Sequence, residues 1–342
     1  MKRGTKRAGL GAVIFLLLAA ALAIGAWQQY QNFLRTPLTI GNTPMVFTVK
    51  RGSSIRSVVA ELAQRGVTRM DWRWRLLNKL QAVTIQAGEY ALVSGMAPAD
   101  MLQLLASGKV VTYRFTIVEG WNVRQLLAAL GSNPILRHSL FRIADLESLD
   151  GLPAGDSEGW FLPETYVFVR GDSDLKILQR AYHDMQQALL ETWAGRDERL
   201  PYETAYEMLI MASIVEKETS RDDERVVIAG VFVRRLLKKW RLETDPSVIY
   251  GMGESYDGNI RRRDLDADTL YNTYTRYGLP PTPIALPGLA SLQAAAHPAE
   301  GDAMFFVADG QGGHTFSATL EAHNKAVQRM LKQHSAHQET TE

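Results

Sequence analysis

An uncharged run, Ala8 to Trp27, opens the pattern, and its 20 residues match the length of a bilayer-spanning helix. Residues 28–44 are polar, with Pro37 and Pro44, and read as a spacer off the membrane. The period then changes repeatedly. Phe47-Thr48-Val49 alternates as a strand does. Ile55, Val58, Val59 and Leu62 recur at helical spacing behind a capping Ser53 or Ser54, and Gly66 stops that helix. Asp71 caps a second helix with Trp72, Trp74, Leu76, Leu77 and Leu80. Ala87 to Leu92 is a turn into a strand. Pro98 opens a helix with Met101, Leu104 and Leu105, closed by Gly108, and Val110 to Val118 is a further strand.

Glu119-Gly120-Trp121 marks a join. Asn122 caps a helix with Val123, Leu126, Leu127 and Leu130. A loop from Asp150 to Pro163 precedes an amphipathic helix marked by Leu175, Leu178, Tyr182, Met185 and Leu189. Met208 to Val215 carries no charge and a single hydroxyl, the pattern of a helix buried on all sides. Another helix spans Asp222 to Lys239. The chain beyond Trp240 reads as irregular through Gly288. Phe305 to Ala308 is a core strand, Gly310 to His314 a turn, and Thr319 to Gln333 a closing helix. The fold class is α+β, with an N-terminal transmembrane helix (8–27) behind a basic tail (1–7) and a spacer (28–44). A small α+β module (45–118), a larger mixed α/β domain (119–335) and a disordered tail (336–342) complete it. There is no internal repeat.

Charge and composition narrow the classes. The 342 residues suit about two domains. The 38 basic and 37 acidic residues leave no global basic field, so nucleic acid is not an expected partner. The chain has no cysteine, which removes disulfides, thiolate metal sites and cysteine nucleophiles. Lys2, Arg3, Lys6 and Arg7 precede the apolar run, an arrangement that keeps the N-terminus in the cytoplasm and exports the remainder. A cleaved signal peptide, processed at Ala21-Leu22-Ala23, is the competing reading. The run continues past that point to Trp27 and Tyr30, an interfacial aromatic pair, and this favours a retained anchor.

Several motifs carry little. Gly155-Asp156-Ser157-Glu158-Gly159 matches G-x-S-x-G, but Leu152-Pro153-Ala154 is no strand and Pro163 soon follows. Ser213 and Lys217 stand four apart, not three. The seven histidines include no zinc spacing, and no metal or cofactor is called for. His314 follows two glycines at the end of a core strand. The aromatic, proline-rich stretch Tyr271 to Gly288 suits either a sugar-binding wall or a loop sealing the core. The acidic candidates are Glu158, Glu164, Glu216, Glu218 and Asp245. Glu216 and Glu218 close the apolar helix, where burial raises a carboxyl pKa. Two residues apart, they point roughly 160° from one another, so they cannot share one cleft. Glu218 extends the stripe of Met208, Met211 and Val215, and periodicity leans slightly towards it.

Ala212-Ser213-Ile214-Val215-Glu216-Lys217-Glu218-Thr219 resembles the signature of the endolytic murein transglycosylase family, also called MltG or YceG-like. Five further blocks match in order: Glu158 to Tyr166, Asp245 to Tyr250, Tyr271 to Tyr274, Gly278 to Pro281, and Gly313 to Ser317. The small module resembles a LysM-like domain. The resemblance implies an enzyme of the bacterial inner membrane, single-pass, with a periplasmic domain that cuts peptidoglycan glycan strands. Cleavage between N-acetylmuramic acid and N-acetylglucosamine would leave 1,6-anhydro-muramoyl ends and terminate nascent strands beside the synthases, the penicillin-binding proteins. It assigns catalysis to Glu218 as general acid and then base. A cationic sugar transition state favours nearby negative or polar groups, for which Glu158, Asp245, Asn272 and Tyr274 are candidates, and Tyr250 and His314 complete the expected substrate-binding residues. Ser247, Glu243, Trp240 and Thr282 depart from the family's usual Thr, Gln, Met and Gly. A hydrolytic muramidase and a non-catalytic peptidoglycan-binding scaffold are the alternatives.

Overall fold

The computed structural model describes residues 3–140, 142–153 and 157–339. The chain divides into two compact units, Met1–Tyr113 and Arg114–Glu342. The join falls slightly before the expected one at 118. Phe115 and Ile117 are core residues of the second unit.

The first unit begins with α1 (Arg3–Arg35), whose segment from Leu10 is long and apolar enough to cross a membrane. This helix does not stop at Trp27. It runs eight residues into the stretch expected as a spacer, and its last turns dock: Tyr30 and Phe33 are buried. They join a core shared by β1 (Met45–Val49), α2 (Ile55–Gln64), α3 (Trp72–Gln81), β2 (Gly88–Leu92) and α4 (Pro98–Ser107). Strands β1 and β2 pair antiparallel, Phe47 opposite Tyr90 and Met45 opposite Leu92. The expected caps hold, with Ser54 accepting from the Ser57 amide, Asp71 from the Arg73 amide, and Gly108 closing α4 in the left-handed region. Residues after α1 are tied down too: the Leu38 amide donates to the Met96 carbonyl and the Thr39 amide to that of Val67. The spacer was misread because Gln28, Gln29, Gln31 and Asn32 lie on the solvent side of an amphipathic turn, where polarity is compatible with helix.

The second unit runs β3 (Tyr113–Thr116, starting at the join), α5 (Val123–Gly131), β4 (Thr165–Phe168) and α6 (Asp174–Gly195). Then come α7 (Ala205–Glu218), α8 (Asp222–Leu237), α9 (Asp245–Met252), α10 (Arg262–Asp266) and α11 (Leu289–Ala296). β5 (Phe305–Ala308), β6 (His314–Ser317) and α12 (Leu320–Glu339) end it. Strand β3 pairs β4, and β5 pairs β6 antiparallel with Phe306 opposite Phe316. Helix α7 is the central rod, packed by α6, α8, α9 and α11, and every residue from Met208 to Val215 is buried. Its one hydroxyl is consumed there, since Ser213 Oγ donates to the Ile210 carbonyl and accepts from the Ile284 amide.

Helices α9 and α10 lie where irregular chain was expected, α11 lies in a stretch that was assigned no element, and β6 begins where a turn was expected. Helix α9 starts at Asp245-Pro246, and proline is compatible with a first helical turn because its missing N–H has no partner there anyway. The Ala-rich α11 is short and wholly dependent on burial against α7. His314 opens a strand rather than ending a turn. The closing helix runs past Gln333 to Glu339, and residues 340–342 of the expected tail lie outside those described.

Replacing Phe33 tests the docking of α1. Its ring lies edge-on to Trp74 at 5.2 Å. Phe33→Ala is expected to destabilise the first unit by roughly 2–4 kcal/mol, read from urea unfolding of the detergent-solubilised chain by tryptophan fluorescence. A free spacer would show no change.

Candidate active site

The two glutamates that end α7 go to opposite sides, as helical geometry requires. Glu216 Oε2 accepts from the Gly288 amide, 3.1 Å, and the Ser291 hydroxyl, 2.7 Å. It thus caps the N-terminus of α11. A side chain at 288 would have to displace the Glu119 carboxylate, because a Cβ there would lie 1.9 Å from Glu119 Oε1. Lys217, between the two, donates to the Gly120 carbonyl at 3.2 Å.

Glu218 faces a different group of side chains. It is partly exposed, with protein packed closely around it, and burial pushes its carboxyl up to about 7. The Thr244 hydroxyl donates to Oε1 and opposes this rise, the neighbouring Asp245 charge adds to it, and His314 and Arg235 oppose it weakly. Thr244 holds the N-cap position of α9, yet its side chain makes no capping bond. The hydroxyl is turned to Glu218 instead. One residue on, Asp245 Oδ1 accepts from the Tyr274 hydroxyl at 2.6 Å. Burial and the acceptor carboxylate hold the Tyr274 hydroxyl in its protonated form.

His314 is fixed from behind. Its Nδ1 lies 2.7 Å from Glu224 Oε2, and its amide donates to Oε1 at 2.8 Å. Burial would raise the Glu224 carboxyl, but the bonds from His314 and from Thr219 Oγ1 keep it below the usual carboxylate range. An ionised Glu224 places a hydrogen on Nδ1 and fixes the orientation of the ring. Arg235, buried, spends its guanidinium on the Met304 and Leu242 carbonyls and approaches Glu243 at 3.7 Å.

Other expected binding residues lie elsewhere. Glu158 is buried. It accepts from the Val123 amide, 3.1 Å, which opens α5, and from the Tyr250 hydroxyl, 3.0 Å. It therefore locks α5 to α9 rather than offering a carboxylate to a ligand. Asn272, 1% exposed, does not face a cleft. Its amide nitrogen donates to the carbonyls of Leu265 and Ala267, and its oxygen accepts from the Tyr274 amide at 2.8 Å. Asn272 shapes the loop that presents Tyr274. Tyr250 lines a cleft of about 420 Å³ together with Lys217, Asn122, Arg124, Pro246 and Ile249. That cleft opens beside the residue preceding Glu218. Of the G-x-S-x-G pattern, Gly155 and Asp156 fall outside the described residues. Gly159 sits at φ +83° with a virtual Cβ 2.6 Å from Pro283, which explains that glycine by packing.

Sequence reasoning did not single out Thr244, Glu224 or Arg235. A Thr-Asp-Pro run is a readable helix start, so Thr244 had a local signal. Glu224 had none, because its partner lies 90 residues away.

The YceG-like family model matches residues 47–329, which include most of both units and every side chain of the candidate site. The chain belongs to the YceG-like family. It is similar to the endolytic murein transglycosylase of Bacillus subtilis (strain 168), 29% identical over 331 residues and 91% of each chain. The endolytic murein transglycosylase of Streptococcus pneumoniae serotype 2 is 26% identical over 92% of this chain, which spans 64% of that longer protein. Among solved structures, a yceG-like protein of Listeria monocytogenes superposes with a TM-score of 0.51. It has 27% identity and covers 83% of this chain and 99% of its own.

The Glu218 environment has a measurable cost. A carboxyl at about 7 in the folded chain, against an ordinary 4.5, binds its proton more tightly folded than unfolded. The folded state is disfavoured progressively as pH rises from about 4.5 to about 7, and the cost is constant above that. Glu218→Gln is expected to stabilise the fold at pH 8 by roughly 1–3 kcal/mol, with the two proteins converging below about pH 4.5. Urea titrations across pH would check this. Glu216→Ala should instead lose roughly 1–2 kcal/mol, since it uncaps α11.

Proposed function

We propose that the chain is a membrane-anchored peptidoglycan lytic transglycosylase that cuts within glycan strands and uses Glu218 as its single acid–base group. The observation that carries this reading is a carboxyl poised at about 7, at the mouth of a buried helix, with a hydroxyl on one oxygen and a Tyr274–Asp245 pair beside it. Family membership and the names of its relatives support the substrate.

In this mechanism Glu218, protonated, gives its hydrogen to the oxygen that links N-acetylmuramic acid C1 to the following N-acetylglucosamine. The C1–O bond breaks and positive charge develops on the muramoyl ring. The carboxylate then takes the hydrogen from the C6 hydroxyl as O6 closes on C1. The products are a 1,6-anhydro end and a free hydroxyl, no water is consumed, and Glu218 is returned protonated. Because the nucleophile is within the sugar, one carboxyl serves both halves, unlike the carboxylate pair of hydrolases. A pKa near 7 suits a group that must donate and then accept. Asp245, its charge moderated by Tyr274, is the negative group available to the cationic ring. His314 and Tyr250 are proposed to border the sugar-binding surface.

The βααβ order of the first unit supports the reading of a LysM-like module that holds glycan. The apolar length of α1 supports a single-pass anchor, and Lys2, Arg3, Lys6 and Arg7 before it support a periplasmic side for the remaining chain. Such a placement suits termination of nascent strands beside the penicillin-binding synthases.

Product analysis decides the chemistry. Mass spectrometry of digested strands is expected to show 1,6-anhydro ends, whereas reducing ends would identify a hydrolase and no cleavage a binding scaffold. Glu218→Gln should lower the rate at least about 10²-fold. The rate should fall above about pH 7 as the acid ionises. Thr244→Val, which removes a bond to the carboxylate, should move that limb to higher pH.

A further inference from the structure

We propose that α3 lies on the membrane surface and binds anionic phospholipid headgroups through one face. The proposal rests on the reading of α1 as a retained membrane span.

Two independent features of the first unit lead there. The first is a length. The apolar run gives way to polar Gln28 and Gln29 after Trp27, and about 20 helical residues traverse the hydrocarbon layer. Phe33 is six residues further along the same unbroken helix, roughly 9 Å at about 1.5 Å per residue. The headgroup layer on each side is of similar depth, roughly 5–8 Å. Phe33 packs edge-on to Trp74 of α3, and the Arg73 guanidinium lies 5.0 Å from its ring centre. Helix α3 is thus fastened to α1 at the level of the headgroups. A flexible spacer would have left this distance open. Burial of Tyr30 and Phe33 closes it.

The second feature is the composition of α3. Trp74 and Leu77 face the core. The opposite stripe is Trp72, Arg75, Lys79 and Leu80, at i, i+3, i+7 and i+8, with Leu76 half-buried against the core. Trp72 and Leu80 are exposed, at 43% and 60%, and Met70 just before the helix is exposed as well. Helix α3 itself contains no acid. The nearest acid, Asp71, is engaged by Arg73 and by the α3 N-terminus. Arg69, Arg75 and Lys79 make no ion pair among the described residues. In water, Trp and Leu exposed beside unpaired cations bring no stability. At a bilayer surface the rings and aliphatic groups enter the headgroup boundary and the cations meet lipid phosphates. Each such cation contributes about 1 kcal/mol near an anionic surface. The consequence is orientation: α1 alone leaves the first unit free to spin about one axis, and a second contact on α3 fixes it.

The lack of native cysteine allows a direct test on the full chain. A single spin label is placed at Leu80→Cys on the stripe, and a control label at Val93→Cys, an exposed site on the unit. Both proteins are reconstituted in vesicles of phosphatidylglycerol and phosphatidylcholine, and flotation confirms incorporation. The label at 80 is expected to collide at least about threefold more with oxygen, and correspondingly less with a water-soluble relaxant, than the label at 93. Arg69→Glu, Arg75→Glu and Lys79→Glu together should abolish that difference while the protein still floats. Equal water exposure at 80 and 93 in floating protein would overturn the proposal. Failure to float would overturn it differently, by removing the span that brings α3 to lipid. Retention of the unfolding midpoint by each labelled variant separates these outcomes from misfolding.

Discussion

Complete burial of α7 is the constraint on which the second unit turns. Eight consecutive residues with no exposed side require partners on every face, and α6, α8, α9 and α11 supply them. Charge can enter such a helix only at its end. When it does, each ionisable residue is delivered to a different neighbour by the roughly 100° advance per residue. Glu216 meets the amide end of α11 and Glu218 meets the start of α9. One therefore stabilises a helix and the other is held with its carboxyl pKa raised, although only Lys217 separates them in the chain.

The surroundings of Glu218 show how a fold sets a pKa through competing contributions. Burial raises it, and a hydroxyl borrowed from a helix cap restrains it. Thr244 forgoes the capping bond available to it, so part of the stability of α9 is exchanged for control of the carboxyl. Behind the pair, Asn272 and Glu224 act at one remove. Asn272 holds the turn that carries Tyr274, and Glu224 fixes the ring of His314.

The elements read correctly from the chain were those whose signal is local. Ser54, Asp71 and Asn122 start helices by bonds to amides two or three positions on, Gly108 ends one by its left-handed backbone, and all do so as expected. The errors fell where long-range packing decides. Residues 28–35 look like a polar linker until Phe33 finds Trp74 and Tyr30 packs beside Phe33. Helix α11 is too short to persist without α7, and the strand at His314 exists because Phe305 to Ala308 lies opposite it. Glu158 and Asn272 looked like ligand-binding groups because their types are common in sugar sites. Their partners, Val123 and Tyr250 for one and the carbonyls of residues 265 and 267 for the other, are invisible to a one-dimensional pattern.

The sequence by itself determined the apolar span, the buried character of Met208 to Val215, and the divergence of Glu216 from Glu218. Each follows from hydrophobic spacing and helix geometry, which need no distant partner. Tertiary structure decided which glutamate carries the raised carboxyl pKa. That choice depends on Thr244 and Asp245 arriving from 26 and 27 residues away, and on Ser291 arriving from the other side. Only the assembled neighbours set the desolvation, charge and hydrogen bonds that tune a carboxyl.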